Sequence, residues 1–172
     1  MKIILDHQQI ELVIKRLAHQ VLENHSDSND TVLIGIQPRG IFLSDRLHQE
    51  LCRYSATPPP YGKLDITFYR DDIRKQIHVP NHTDIPFSIE GKKVVLVDDV
   101  LYTGRTIRAA LDALMDFGRP AKAELLVLID RRYSRQLPIQ PDYTGKTIDS
   151  IVSQQVKVNW NEGQHEVVLV DQ

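Results

Sequence analysis

Residues Val94 to Thr106 read VVLVDDVLYTGRT. Val94, Val95, Leu96 and Val97 form an unbroken apolar run, the signature of a buried strand. Two adjacent acids, Asp98 and Asp99, stand where that strand should end. A short loop with Thr103, Gly104, Arg105 and Thr106 follows, and Ile107, Ala110, Leu111 and Leu114 then recur at helical spacing. Such a loop aims free backbone N–H groups and hydroxyls at an anion, with a helix N-terminus behind them. The two carboxylates beside it suit sugar hydroxyls, or Mg²⁺ held through water. Phosphate donors next to ribose acceptors imply a sugar phosphate.

The stretch has neither the Lys of a P-loop nor the three-glycine dinucleotide fingerprint. It resembles instead the phosphoribosyl pyrophosphate (PRPP) motif of type I phosphoribosyltransferases.

Working outward, Asp6 with Gln9 makes a capping-box helix start. Ile10, Val13, Ile14, Leu17 and Val21 then form one apolar stripe, which HSDSND (25–30) ends. Thr31 to Ile36 reads as a buried strand, Gln37-Pro38-Arg39-Gly40 as a tight turn, and Ile41 to about Tyr54 as a second helix. Leu64, Ile66 and Phe68 alternate with polar neighbours, which predicts a half-buried strand. Asp71 to Lys93 is long and polar, a loop of the kind that serves function. Gly118 and Pro120 stop the helix after the motif, and Glu124 to Ile129 is another buried strand. Val156, Val158 and Trp160, then Glu166 to Val170, flank Asn161-Glu162-Gly163 as a hairpin. Strands alternating with helices predict an α/β chain with a mainly parallel central sheet flanked by helices.

The bulk properties narrow the function. At 172 residues, 1–172 is expected to be a single domain. Charged residues make up 26% and apolar residues 41%, ordinary for a globular protein. A formal net charge of −2 gives no global basic footprint, so RNA binding would need a local patch. One cysteine, Cys52, excludes an internal disulfide and fits a reducing cytoplasm. Lying in a predicted helix, it is expected to be a buried structural thiol. The start MKIILDHQQ is too short an apolar run for a signal peptide, and no stretch reaches membrane-spanning length.

In a parallel sheet, ligands bind beyond the carboxyl ends of the strands, which brings four loops together. GIQPRG (35–40) is a glycine-bounded turn that can present N–H groups to pyrophosphate, with Arg39 adding charge. Tyr69-Arg70-Asp71-Asp72 with Arg74 and Lys75 opens the long loop as a cationic cover that excludes water. The third loop is the PRPP loop itself. Asp130-Arg131-Arg132 ends the following strand, placed for a planar base or for Mg²⁺-bound pyrophosphate. Each also has a plain surface reading when taken alone.

With these loops in order, VVLVDDVLYTGRTIRAALDAL, DITFYRDD, GIQPRG and LPIQPDYTGKTI together resemble the pyrimidine regulatory protein family, PyrR. The resemblance runs from about Ile4 to Lys157. It implies the type I phosphoribosyltransferase fold with a small C-terminal β hairpin or hood. It implies an enzyme that makes UMP from uracil and PRPP with Mg²⁺. It further implies binding of pyrimidine-operon leader RNA when UMP or UTP is bound, with transcription attenuation, and a homodimer or higher oligomer. By position, Asp98 and Asp99 should hold the ribose hydroxyls, and Mg²⁺ through water at most. Thr103, Gly104, Arg105 and Thr106 should hold the 5′-phosphate, with Tyr102 in the same loop. Pro38, Arg39 and Gly40 match the pyrophosphate loop, and Arg70 opens the flexible loop. The base should sit near Val100, Leu101, Asp130, Arg131 and Arg132, read by backbone groups. Catalysis is expected to rest on Arg39, Arg70, Asp98 and Asp99.

The expected RNA face is separate and basic: His19, Arg135 and Lys146 match the family, and Lys15 adds charge. The chain departs from the family at Pro38, where a polar residue is common, and at Asn24 and Gln140, where basic residues are common. RRYSRQLP is one residue longer than the usual form. Two other readings stand beside the bifunctional enzyme. One is a uridine-nucleotide-sensing RNA-binding regulator with little catalysis. The other is a phosphoribosyltransferase for another base without RNA binding.

Overall fold

The computed structural model describes residues 1–26, 28–71 and 82–171. Asp72, Arg74 and Lys75, expected in the cationic cover, lie outside the described residues.

Strand β1 (Lys2–Leu5) leads into helix α1 (His7–Asn24). Asp6 caps α1 by accepting the Gln9 N–H, while the Gln9 side chain accepts the Asp6 N–H, each at 2.9 Å. Then come β2 (Thr31–Ile36), α2 (Gly40–Tyr54), β3 (Tyr61–Leu64) and β4 (Lys93–Leu101). Helix α3 (Arg105–Leu114), β5 (Lys122–Arg132), β6 (Tyr143–Asp149), β7 (Gln154–Asn159) and β8 (Glu166–Asp171) complete the order.

Five strands form a parallel sheet in the order β3-β2-β4-β5-β6, and β1-β8-β7 form a small antiparallel sheet. Side chains alternate across the parallel sheet. Leu33, Val95, Val97, Leu126 and Leu128 pack with α1 and α2 on one face. Val32, Ile34, Val94, Leu96 and Val127 pack with α3 on the other. A strand covered on both faces must be apolar throughout, which is why β2 and the start of β4 read as unbroken hydrophobic runs. Each fully buried Val or Leu here contributes about 1.5–3 kcal/mol over its exposed state.

Three expectations change. The strand expected around Leu64–Phe68 ends at Leu64: Ile66 is buried, but Phe68 is exposed in a 3₁₀ turn over Thr67–Tyr69. Alternation there reflected one anchored side chain rather than a ladder. Cys52 is exposed, not buried, because it falls on the outer face of α2 beside His48. The strand at the motif also runs on through the acids to Leu101. β1 and β6, not anticipated as strands, complete the two sheets.

Gly145 in β6 fixes the spacing to its neighbours: a Cβ there would lie 2.4 Å from the Leu128 carbonyl oxygen and 2.8 Å from Val13. The first of these is β5 backbone and cannot step aside cheaply. Gly145→Ala is therefore expected to cost about 1–3 kcal/mol of stability by overpacking, read as a lowered midpoint in urea unfolding. An unchanged midpoint would show that β5 and β6 can part at this point.

Candidate active site

The sheet reverses direction between β2 and β4: β3 lies beyond β2, and β5 and β6 lie beyond β4. Ligands in such sheets sit at this switch point. The pairing of β4 with β2 stops at Val97, opposite Gly35. Its pairing with β5 continues from Asp98, opposite Val127, to Leu101, opposite Asp130. Asp98 and Asp99 therefore ride on a strand still held on one side and released on the other.

The Gln37–Pro38 peptide is cis, and α2 starts at Gly40. A Cβ on Gly40 would lie 2.6 Å from the Val97 carbonyl oxygen and 3.2 Å from Asp98 Oδ1, so only glycine lets this turn rest on β4. Next to it, Arg39 donates Nε–H to Asp99 Oδ2 at 3.2 Å and Nη2–H to the Val158 carbonyl of β7 at 2.8 Å. Both acids are buried. Asp98 Oδ1 accepts the Asp99 N–H at 2.9 Å, and Asp99 Oδ1 accepts the Val100 N–H at 2.8 Å.

Gly104, at φ +93°, turns the chain into α3 and, as its N-cap residue, has no side chain to cap it. Its Cβ would press on Ile139 at 3.0 Å. Thr103 Oγ1 accepts the Arg105 N–H at 3.3 Å. Arg105 itself reaches outward, to Asp71 at 2.7 Å and Gln136 at 2.8 Å. A small cavity of about 220 Å³ is walled by Asp98, Val100, Leu101 and the whole run Tyr102 to Ile107, with Arg70 at its rim. A larger one of about 780 Å³ shares Arg70, Val100 and Tyr102 with it and adds Arg39, Asp99, Arg131 and strand β7. The structure thus brings the acid pair, the hydroxyl-and-glycine loop, Arg39 and Arg70 around two adjoining cavities. Among the described residues, Pro38 and Gly40 line neither cavity.

The Asp130-Arg131-Arg132 segment divides. Among the described residues lining either cavity, only Arg131 of the three appears. Its guanidinium lies 4.0 Å from the centre of the Tyr102 ring and donates to Ser150 Oγ and to the Ile151 and Gln154 carbonyls. Asp130 pairs with Arg135 at 2.6 Å, and exposed Arg132 pairs with Asp149 at 2.7 Å.

The expected RNA face divides too. Arg135 donates to the Tyr102 carbonyl at 2.6 Å as well as to Asp130. It thereby braces the motif loop. Lys15 and His19 are exposed on α1. The His19 ring lies 4.3 Å from that of Tyr54, and Lys146 on β6 donates to the Ile4 carbonyl. Arg16, between them, donates to the Thr144 and Gly145 carbonyls, so α1 and β6 meet here. The sequence did not reveal that β7 walls the larger cavity. Its alternating Val156 and Val158 signal a strand but not where it folds back.

Comparison with known proteins agrees with this geometry. The phosphoribosyl transferase domain family matches residues 1–162. The bifunctional protein PyrR of Actinobacillus pleuropneumoniae is 45% identical over 173 residues, spanning 98% of this chain and 96% of the relative. That of Listeria welshimeri is 44% identical over 168 residues, spanning 95% and 91%. This chain belongs to the PyrR family. Among solved structures, the hypoxanthine phosphoribosyltransferase of Trypanosoma cruzi superposes with a TM-score of 0.74 at 20% identity, covering 99% of this chain and 97% of that one. One from Staphylococcus aureus gives 0.69 at 21% identity, covering 88% and 80%. Both share the type I phosphoribosyltransferase fold, and the PyrR-family chain is a phosphoribosyltransferase.

Within this PyrR-family site the electrostatics of the acid pair are unequal. Burial pushes the Asp98 carboxyl well above the usual carboxylate range, and the neighbouring Asp99 charge pushes it further. The folded chain therefore binds this proton more readily than the unfolded chain does. Stability is greatest below the ordinary carboxylate pKa and falls as pH rises through the raised one. Asp98→Asn keeps the acceptor oxygen but removes the titration. Its melting temperature at neutral pH is expected above that of the native protein, the difference shrinking on acidification. Equal melting temperatures at all pH values would show that Asp98 carries no uncompensated charge.

Proposed function

We propose that this chain transfers the phosphoribosyl group of PRPP to uracil, yielding UMP and pyrophosphate. We further propose that it regulates pyrimidine genes by UMP-dependent binding of leader RNA. The observation that carries the enzymatic reading is the acid pair, freed from β2 and shared between two adjoining cavities of different character. The smaller offers hydroxyls and helix N-terminal amides to a 5′-phosphate. The larger offers the cations Arg39 and Arg70 to pyrophosphate, and its far wall to a base. Asp98 and Asp99 take the ribose hydroxyls between them.

The donor set beside the acids is all oxygen, which suits Mg²⁺ held through water by Asp98 and Asp99. When bound with PRPP, Mg²⁺ offsets charge on the leaving pyrophosphate. The rest falls to the chain. The bond from ribose C1 to the pyrophosphate oxygen breaks, and its electron pair leaves with pyrophosphate. Uracil nitrogen forms the new bond to C1 and gives up its proton to the departing pyrophosphate. Arg39 and Arg70 stabilise the charge developing on pyrophosphate, where fixed donors act without reorganisation. Asp98 and Asp99 hold the sugar so that C1 faces the base. Asp130 and Arg132 are engaged elsewhere, which leaves Val100, Leu101, Tyr102 and Arg131 to border the base. Residues 1–172 act as one cytoplasmic domain, assembled as a homodimer or higher oligomer.

The test is product formation from PRPP, Mg²⁺ and uracil, with orotate and hypoxanthine as rival bases. Uracil alone is expected to turn over. Asp99→Asn and Arg135→Ala are each expected to lower kcat/KM about 10- to 100-fold, the first by loosening the sugar and the second by loosening the Tyr102 loop. Turnover of hypoxanthine in place of uracil would overturn the substrate.

The regulatory reading places RNA on Lys15, His19 and Lys146, around the meeting of α1 and β6, without Arg135. Replacing these three by Ala should weaken UMP-dependent binding of a pyrimidine-leader hairpin. It should also flatten the salt dependence by about one unit of slope per lost phosphate contact, with UMP formation unchanged. Undiminished RNA binding would move the interface elsewhere.

A further inference from the structure

The first turn of α1 meets the connection between β7 and β8. His7 and Glu11, four residues apart, share a helix face, and His165 comes from the connection. One ligand atom from each of the three lies within 4.8 Å of the other two. His165 Nε2 is 4.0 Å from Glu11 Oε1, and the two imidazole centres are 4.9 Å apart. His165 is 6% exposed, and its Nδ1 is buried with no hydrogen-bond partner. A cavity of about 320 Å³ opens onto both histidines, with Asp6 and Glu166 also on its wall. This cavity shares no residue with the two at the active site.

The nitrogen lone pairs here are weakly engaged. His7 Nδ1 takes the His165 backbone N–H at 3.2 Å, and His165 Nε2 takes the Arg46 Nε–H at 3.3 Å. Both exceed the usual 2.9–3.0 Å or so. Because the Arg46 Nε–H can only donate, His165 Nε2 carries no proton, the form in which a histidine nitrogen binds a metal. Ligand atoms about 2.0–2.1 Å from a tetrahedral ion lie roughly 3.3 Å apart. Closing to that spacing needs side-chain rotation, for which Glu11, one turn on from His7 and with its side chain 43% exposed, has room.

We propose that His7, Glu11 and His165 form a binding site for one Zn²⁺-class ion that ties the start of α1 to the hairpin containing β7. Two imidazoles and a carboxylate suit Zn²⁺ rather than Mg²⁺ and leave a fourth position for water. Arg46 is the resident competitor. Its Nε–H yields to the ion, while its Nη1–H stays on the Phe42 carbonyl at 2.7 Å and its guanidinium stays 4.8 Å from the Trp160 ring centre. The ion would stiffen the hairpin whose β7 strand walls the larger cavity.

The test is calorimetric titration of the full chain, stripped with chelator and dialysed, with Zn²⁺ in the presence of Mg²⁺. Co²⁺ absorption reads the coordination geometry in parallel. One equivalent is expected to bind, with tetrahedral Co²⁺ bands. His7→Gln and Glu11→Gln, both at incompletely buried positions, should each weaken binding at least about 10-fold with unchanged circular dichroism. Arg46→Gln should bind at least as tightly as the native chain. The exposed His48–Cys52 pair on α2, whose Nε2 and Sγ are 3.7 Å apart, could take Zn²⁺ independently, so Cys52→Ser is titrated alongside and should retain the site. No stoichiometric binding, binding undiminished in His7→Gln and Glu11→Gln, weaker binding in Arg46→Gln, or loss in Cys52→Ser would each overturn the proposal.

Discussion

The start of α2 rests directly on β4, and the candidate site depends on that contact. At Gly40 the approach is so close that any side chain would strike the Val97 carbonyl. Val97 is also the last residue of β4 that pairs with β2. Beyond it the β2 chain turns away through Pro38 and Arg39, while β5 continues to hold β4. The acids are thus fixed on one side and accessible on the other. A rigid strand supports them more exactly than a loop could, which matters where small misplacements cost rate. The same turn carries Arg39 to within hydrogen-bonding distance of Asp99.

The site holds charge in an arrangement that the chain by itself does not balance. Two carboxylates are buried side by side, so the ionised form of Asp98 is disfavoured. α3 begins at a left-handed glycine that cannot cap it, and Thr103 Oγ1 accepts only the Arg105 amide of its first turn. Arg39 is only partly engaged, with its side chain 56% exposed. Sugar hydroxyls, a phosphate and a pyrophosphate with its cation meet these three needs together. Groups that would be costly in a structural core are coherent in a site that binds a substrate of matching charge.

The sequence made the centre of this arrangement legible because the centre is local. An apolar run, two acids, a glycine loop and a helical stripe lie within about twenty consecutive residues, and their order alone implies their geometry. The capping box at Asp6 and Gln9 was readable for the same reason. What the sequence did not show was set by distant partners. The sequence places Asp130 and Arg132 at a strand end but does not show that they pair with Arg135 and Asp149. Nor does it show that Arg135 reaches the Tyr102 carbonyl and Asp130 at the motif loop. Cys52 sits on a helix whose buried face could not be phased from one residue. β1 and β6 become strands only through partners more than a hundred residues away or across a parallel crossover.

The hood shows how such distant pieces are joined. Val158 and Val167 of the small sheet belong to the core formed with α1 and α2, so one side of the hood is fixed by apolar burial. Towards the cleft, two arginines from the parallel sheet and its loops hold it by main-chain carbonyls: Arg39 at Val158, and Arg131 at Ile151 and Gln154. Carbonyl contacts are indifferent to the side chains that β7 carries, so β7 can vary its cavity-facing residues without losing its position. Arg131 also stacks on Tyr102, and Arg135 binds the Tyr102 carbonyl. Tyr102 is therefore the residue at which the hood, β5 and the phosphate loop meet. Anything that fills both cavities presses on one connected set of side chains, and the motif loop is held by the elements that wall the larger cavity.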